Sequence, residues 1–178
     1  MSCVGRPAPG FHNLPSTKNA QRLDEPVSLE DYAGRWLVLL FYSADFSAVC
    51  PSELLAFSRA TPDFEALGAG VLALSTDSVL SHQACIEFVL GRLNFPLASD
   101  PTHAVSRAYG VLREDEGVAE HALFVIDPEG TIRYEVTHDP GTGRSVQEVS
   151  RILQSLVRGS SCPADWQPGQ PPLLSAAA

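Results

Sequence analysis

The residue with the clearest chemical potential is Cys50, which lies between an apolar run and Pro51. The apolar run at residues 37–42 predicts a buried strand, and the apolar spacing after Pro51 predicts a helix that has proline at its first position. Cys50 would then face the free N–H groups and the positive end of a helix dipole, which stabilise a thiolate and make it nucleophilic. Position alone also leaves open a buried structural cysteine beside a capped helix, since cysteine is among the most buried residue types.

The other three cysteines, Cys3, Cys85 and Cys162, are far apart in the chain. They form neither the CxxC pairs of a zinc site nor the dense framework of a secreted protein. The same absence of a CxxC pair argues against a thiol–disulfide oxidoreductase of the thioredoxin type. Inert core thiols and redox chemistry remain as the two interpretations.

The chain alternates predicted strands and helices between Trp36 and Arg158. The Asp-Pro-Glu-Gly turn at residues 127–130 predicts an antiparallel hairpin, whereas the helical crossovers require parallel strands. The expected class is therefore α/β, a thioredoxin-like fold with a mixed β-sheet and helices on both faces. Strands are predicted at residues 37–42, 71–75, 122–126 and 131–136, and helices at 51–64, 78–93, 103–109 and 145–157.

Length and composition set the domain organisation and exclude some partners. The 178 residues suit one domain, which we expect at residues 1–158, followed by a flexible arm at 159–178 that is rich in Gly, Ser, Pro and Ala. With 12 Lys and Arg against 21 Asp and Glu, the net charge of −9 disfavours nucleic acid and anionic membranes. Without an apolar leader or a long apolar run, a cytoplasmic location is expected.

Residues 47–53 (SAVCPSE) resemble the peroxidatic cysteine segment of the typical two-cysteine peroxiredoxins. The arm segment around Cys162 (CPADW) resembles the part of that family that carries the resolving cysteine. Further resemblance, in the family's order, covers residues 4–9, 75–78 with His82, 95–101, 109–112, 124–127 and 143–146.

The resemblance implies a thiol peroxidase that reduces peroxide substrates. Cys50 would become a sulfenic acid and then form a disulfide with Cys162 of another subunit, which makes a homodimer the smallest working unit. A thioredoxin-like or other dithiol donor would reduce that disulfide, and the resemblance leaves open whether dimers close into larger rings. It implies no metal and no bound organic cofactor.

Three further residues match family positions near the cysteine. The Ser47 hydroxyl would hydrogen-bond the thiolate and the peroxide, and Arg144 would pair with Glu53, which is also placed to cap the helix.

The chain departs from the family at two positions beside the site. Ser43 replaces a proline, and His121 replaces an arginine that contacts sulfur and substrate. Because imidazole is mostly neutral above pH 7, His121 would assist only if its pKa were raised. A redox-gated assembly or holdase with weak peroxidase activity is therefore the alternative function.

Overall fold

The computed structural model describes residues 2–18, 21–22 and 26–173. The chain divides into two compact units, Met1–Arg144 and Ser145–Ala178. Within the described residues, the first unit contains a seven-stranded sheet, a two-stranded sheet and three α-helices, and the second contains the last α-helix and the segment that follows it. In chain order the strands are β1 (Ser16–Lys18), β2 (Gln21–Arg22), β3 (Trp36–Phe41), β4 (Ala69–Ser75), β5 (Leu97–Ser99), β6 (Leu112–Arg113), β7 (Val118–Ala119), β8 (His121–Ile126) and β9 (Ile132–His138), and the α-helices are α1 (Cys50–Ala66), α2 (Val79–Cys85), α3 (Ala104–Ala108) and α4 (Val146–Arg158).

Seven strands form one mixed sheet in the order β2-β1-β5-β4-β3-β8-β9. Strand β3 pairs in parallel with β4 and antiparallel with β8, while β8 and β9 form the predicted antiparallel hairpin. Every residue of β4 and β8 is buried, which is the expected environment for the apolar runs that form central strands. The α/β class and the mixed sheet with its accompanying helices are confirmed.

Helix α1 contains Pro62, whose ring removes the hydrogen bond to the carbonyl of Ser58. That carbonyl instead accepts a hydrogen bond of 2.8 Å from the side-chain amide of Asn94, while the Ser58 hydroxyl accepts one from the Asn94 backbone N–H. Because these two bonds replace the one lost, the helix continues through Pro62 to Ala66.

The segment predicted as one helix over residues 78–93 is divided in the structure. Helix α2 ends at Cys85 and a π-helical turn follows at Ile86–Leu90, closed by a hydrogen bond of 2.7 Å from the Gly91 N–H to the Ile86 carbonyl. The wider turn changes which residues share a face. Cys85 is fully buried, whereas Phe88, three residues further on, is 77% exposed.

In the second unit, α4 begins and ends with the residues that normally cap a helix. The Ser145 hydroxyl accepts a hydrogen bond from the Glu148 N–H, and Gly159 adopts the left-handed conformation at the C-terminus. Within this unit, Arg151 donates to the Trp166 carbonyl and the Arg158 guanidinium lies over the Trp166 ring. These contacts hold the part of the arm around Trp166 against α4.

None of the helices in the described part of the chain is both long and apolar enough to cross a membrane.

Candidate active site

The site forms where the end of β3, the start of α1 and the start of β8 meet. Because β8 runs antiparallel to β3, with Leu123 paired to Leu40, its first residue, His121, lies near the carboxyl end of β3. Cys50 is the first residue of α1, with Pro51 in the first turn. The sequence-based placement of Cys50 at a strand-to-helix junction is confirmed.

Cys50, His121 and Ser43 form a close triangle of polar atoms. The Cys50 Sγ lies 3.4 Å from His121 Nε2, and the Ser43 Oγ lies 3.5 Å from the sulfur and 3.1 Å from the same nitrogen. Cys50 and His121 are almost completely buried. The two residues that depart from the family pattern therefore contact each other and the sulfur.

Glu53 and Arg144 form a buried ion pair behind this triangle. Glu53 accepts hydrogen bonds of 2.6 Å from the Arg144 backbone N–H, 2.8 Å from Nε and 2.9 Å from Nη2. The Arg144 Nη1 also donates to the carbonyls of Phe41 in β3 and Ala122 in β8. The predicted pairing of Glu53 with Arg144 is therefore present, and it ties α1 to the ends of two strands.

A chain of contacts links Arg144 to the sulfur through Glu53 and His121. The Nδ1 of His121 lies 3.7 Å from Glu53 Oε2, on the opposite side of the ring from Cys50. Burial raises the pKa of Glu53, but the hydrogen bonds and charge of Arg144 outweigh it and hold this pKa below its usual value. Glu53 is thus a carboxylate whose charge favours the protonated form of His121, without a hydrogen bond to the ring.

The surroundings of Cys50 favour the thiolate. Burial opposes ionisation, but His121 and the nearby hydroxyls of Ser47 and Ser43 outweigh it and lower the pKa of Cys50 to about 6. The hydrogen bond to Cys50 is the main cause that raises the pKa of His121, and the charges of Cys50 and Glu53 add to it. Both shifts favour the thiolate and imidazolium forms of the pair over the neutral thiol and imidazole.

The remaining residues predicted for the site lie in different surroundings. The Ser47 Oγ is buried and has no hydrogen-bond partner of ordinary geometry within the described residues. Cys162 belongs to the second unit, where its thiol lies 3.5 Å from the Ser160 carbonyl. All four cysteines are free thiols.

A buried network that sequence reasoning did not find holds the loop before Cys50. Asp45 in this loop accepts a hydrogen bond of 3.0 Å from the Tyr42 hydroxyl and lies 2.8 Å from Nδ1 of His82. The Asp45 N–H donates to Asp77, and His82 Nε2 lies 3.2 Å from the Ala98 carbonyl. The four side chains are spread over residues 42–82, and no local spacing signal predicts that they meet.

Comparison with known proteins identifies the family. The AhpC/TSA family profile matches residues 4–135, which is more than half of the chain. The chain belongs to the AhpC/TSA family. It is a peroxiredoxin, a thiol-dependent peroxidase, as the sequence resemblance predicts.

Relatives match this peroxiredoxin over most of its length. It is 45% identical over 175 residues to peroxiredoxin tpx1 of Schizosaccharomyces pombe, covering 93% of this chain and 90% of that one. Identity to peroxiredoxin prdx-2 of Caenorhabditis elegans is 44% over 175 residues, with 93% and 86% covered.

Solved structures confirm the thioredoxin-like fold of this peroxiredoxin. The reduced 2-Cys peroxiredoxin of Plasmodium vivax superposes with a TM-score of 0.89 at 31% identity, covering 96% of this chain and 92% of that one. AhpC of Enterococcus faecalis gives a TM-score of 0.84 at 31% identity, with 92% and 100% covered.

Proposed function

We propose that this peroxiredoxin reduces hydrogen peroxide and alkyl hydroperoxides with Cys50 as the peroxidatic residue. The observation that supports this most directly is the buried contact of 3.4 Å between Cys50 Sγ and His121 Nε2, together with the lowered pKa of the thiol. A thiolate is the nucleophilic form of cysteine, and a cation in hydrogen-bond contact stabilises it.

In the proposed first step, the thiolate attacks the terminal peroxide oxygen and the O–O bond breaks. The sulfur becomes a sulfenic acid, and the other oxygen leaves as an alkoxide or hydroxide that needs a proton. His121 supplies that proton from its imidazolium, which the negative charge of Glu53, 3.7 Å from Nδ1, favours. Cys50 is oxidised by two electrons while the peroxide is reduced to an alcohol or water.

The serine hydroxyls provide hydrogen bonds to the reacting oxygens. The buried Ser47 hydroxyl has no hydrogen-bond partner of ordinary geometry in the described part of the chain, so binding a peroxide oxygen would satisfy it. Ser43 already contacts both Cys50 and His121 and can position the sulfur between them. The role of Arg144 is indirect, because it holds Glu53.

In the proposed second step, Cys162 of another subunit attacks the sulfenic acid, releasing water and forming an intersubunit disulfide. Disulfide sulfurs lie about 2 Å apart, so the segment that carries Cys162 has to reach Cys50 of the other subunit. Strand β9 is an edge of the sheet, and an exposed edge can pair with a second copy of the chain. We therefore propose a homodimer as the working unit, which a larger ring could incorporate.

A dithiol donor of the thioredoxin type would return the disulfide to two thiols by exchange. The four free thiols suit the reducing cytoplasm, where we place the protein.

The alternative of a holdase or redox-gated assembly has one supporting observation, the exposure of Phe46, Leu80 and Phe88. It also assumed that His121 could not replace the arginine cation. The raised pKa of His121 removes that assumption, so peroxidase turnover is the better-supported function.

The first prediction tests the resolving residue. We expect peroxide to convert reduced protein into a disulfide-linked dimer, and Cys162→Ser to prevent it while leaving Cys50 oxidation intact. Non-reducing gels with peptide mapping measure this, and Cys3→Ser is the matched control that should still form the dimer. An unchanged covalent dimer from Cys162→Ser would refute the assignment.

The second prediction concerns pH. Because the pKa of Cys50 is about 6, its alkylation rate in metal-chelating buffer should rise as pH increases through that value and then level off. Burial raises the pKa of Cys85, so this second buried thiol should react much more slowly and serves as the internal control. A Cys50 midpoint at or above the free value of about 8.5 would contradict the lowered pKa.

A further inference from the structure

We propose that Cys50, His121 and Ser43 form a binding site for a zinc-type divalent cation that reversibly masks the sulfur. Thiolate and imidazole are the ligands that zinc prefers in proteins, and here both are buried and within contact distance. The cation would act as an inhibitor and take no part in turnover. Metal binding stands on geometry alone, whereas its effect on peroxide reduction rests on the proposed role of Cys50.

The spacing of the three atoms matches one face of a zinc tetrahedron. With Zn–S near 2.3 Å and Zn–N near 2.0–2.1 Å, a sulfur and a nitrogen bound to the same tetrahedral ion lie about 3.5 Å apart. The observed Sγ to Nε2 distance is 3.4 Å, and Ser43 Oγ completes the triangle at 3.1 and 3.5 Å. One point can therefore lie at bonding distance from all three atoms with little side-chain movement.

A carboxylate lies near the other nitrogen of the histidine ring. A ligating imidazole commonly donates its other N–H to a carboxylate, which fixes the ring and its tautomer. Glu53 Oε2 lies 3.7 Å from His121 Nδ1, just beyond hydrogen-bond distance, and this buried nitrogen has no hydrogen-bond partner among the described residues, so a small movement of the ring would give it that acceptor.

Glu53 itself is the less suitable ligand. Its oxygen lies with the Cys50 and His121 atoms in a cluster in which all are within 4.8 Å of one another. However, both of its oxygens already accept hydrogen bonds from Arg144. We therefore leave Glu53 out of the ligand set as a neighbouring carboxylate, and the fourth position on the metal is free for water or an added thiol.

Binding at this site blocks the nucleophile without any change in oxidation state. The metal takes the electron pair with which the thiolate would attack peroxide, and binding to a thiol releases one proton to solvent. With only two strong protein ligands and an open position, the ion should exchange and be removed by a chelator.

The experiment uses Co²⁺ as a spectroscopic probe of reduced, full-length protein. We expect one equivalent per chain to produce thiolate-to-cobalt charge transfer and the visible bands of tetrahedral Co²⁺, and Zn²⁺ to displace it. His121→Gln should weaken binding by about 100-fold or more, since even outer partners of a ligand are worth about 10–100-fold. Cys3→Ser and His12→Gln, which alter another free thiol and an exposed histidine, are the controls that should retain the spectrum.

Two further measurements separate the metal site from the catalytic proposal. Alkylating Cys50 before adding Co²⁺ should abolish the spectrum without relying on a folded variant. Zn²⁺ should slow Cys50 oxidation and a chelator should restore it. An absent wild-type spectrum, equal binding by His121→Gln or survival of the spectrum after alkylation would overturn the site. A normal cobalt spectrum in a protein whose Cys50 does not react with peroxide would instead count against the proposed function.

Discussion

Arg144→Met is expected to lower the free energy of unfolding by about 3–5 kcal/mol, the cost of leaving one partner of a buried ion pair without the other. Glu53 is 3% exposed and Arg144 is 5% exposed, so water cannot replace the lost guanidinium. The same change also removes the donor to the carbonyls of Phe41 and Ala122. Urea unfolding of the reduced protein measures the effect.

Two variants show whether the loss of stability comes from leaving the Glu53 carboxylate buried without its partner. Adding Glu53→Gln to Arg144→Met should recover part of the stability, because no buried charge remains, while the two carbonyls still lack their donor. Arg107→Met is the matched surface control, because Arg107 pairs with Glu114 where both side chains are exposed, and it should leave stability almost unchanged. If Arg144→Met cost less than about 1 kcal/mol, the pair would be behaving as a surface salt bridge.

His121→Gln is expected to slow the reaction of Cys50 with peroxide by about 10- to 150-fold. A hydrogen bond to a charged group is worth about 1.5–3 kcal/mol, and glutamine can offer a donor but no positive charge. The same substitution should raise the pKa of Cys50, because His121 is the largest of the influences that lower it. Stopped-flow oxidation and alkylation across a range of pH measure the two effects separately.

The pH profile of the wild-type rate distinguishes a charged His121 from a neutral one. The rate should rise as Cys50 ionises, then fall at higher pH as the raised pKa of His121 is passed and the imidazolium is lost. His121→Arg keeps the charge at all these pH values, so its profile should lack the alkaline fall and its advantage should be greatest above the raised pKa of His121. A wild-type rate that stays level while His121 loses its proton would show that the cation does not contribute.

The sequence predicts the central elements of the fold because their signals are local. Strands β3, β4 and β8 have more consecutive apolar residues than a strand with one face in solvent would have. The turn at residues 127–130 specifies the hairpin of β8 and β9. The short strands β1 and β2 have no such signal, since their pairing is decided by contacts with β5 and with each other. The π-helical turn after Cys85 likewise has no apolar periodicity that distinguishes it from an α-helix.

At the site, the sequence predicts which individual residues take part better than it predicts the contacts between them. Cys50 and the Glu53–Arg144 pair follow from local motifs and resemblance. Ser43 and His121 are separated by 78 residues, and each alone is only a departure from the family pattern. Their hydrogen bond depends on β3 and β8 being antiparallel neighbours, which brings the two positions together beside Cys50.

The first turn of α1 carries both Cys50 and Glu53. The proposed nucleophile is therefore only three residues along the helix from the carboxylate of the buried ion pair. Because the sulfur is fully buried, the proposed disulfide would require this turn to open, and opening would strain the hydrogen bonds between Glu53 and Arg144. We therefore expect the strength of the ion pair to set how often the oxidised sulfur becomes accessible. Weakening the Glu53–Arg144 ion pair should make this opening more frequent. Disulfide formation should then be faster, independently of the rate at which Cys50 reacts with peroxide.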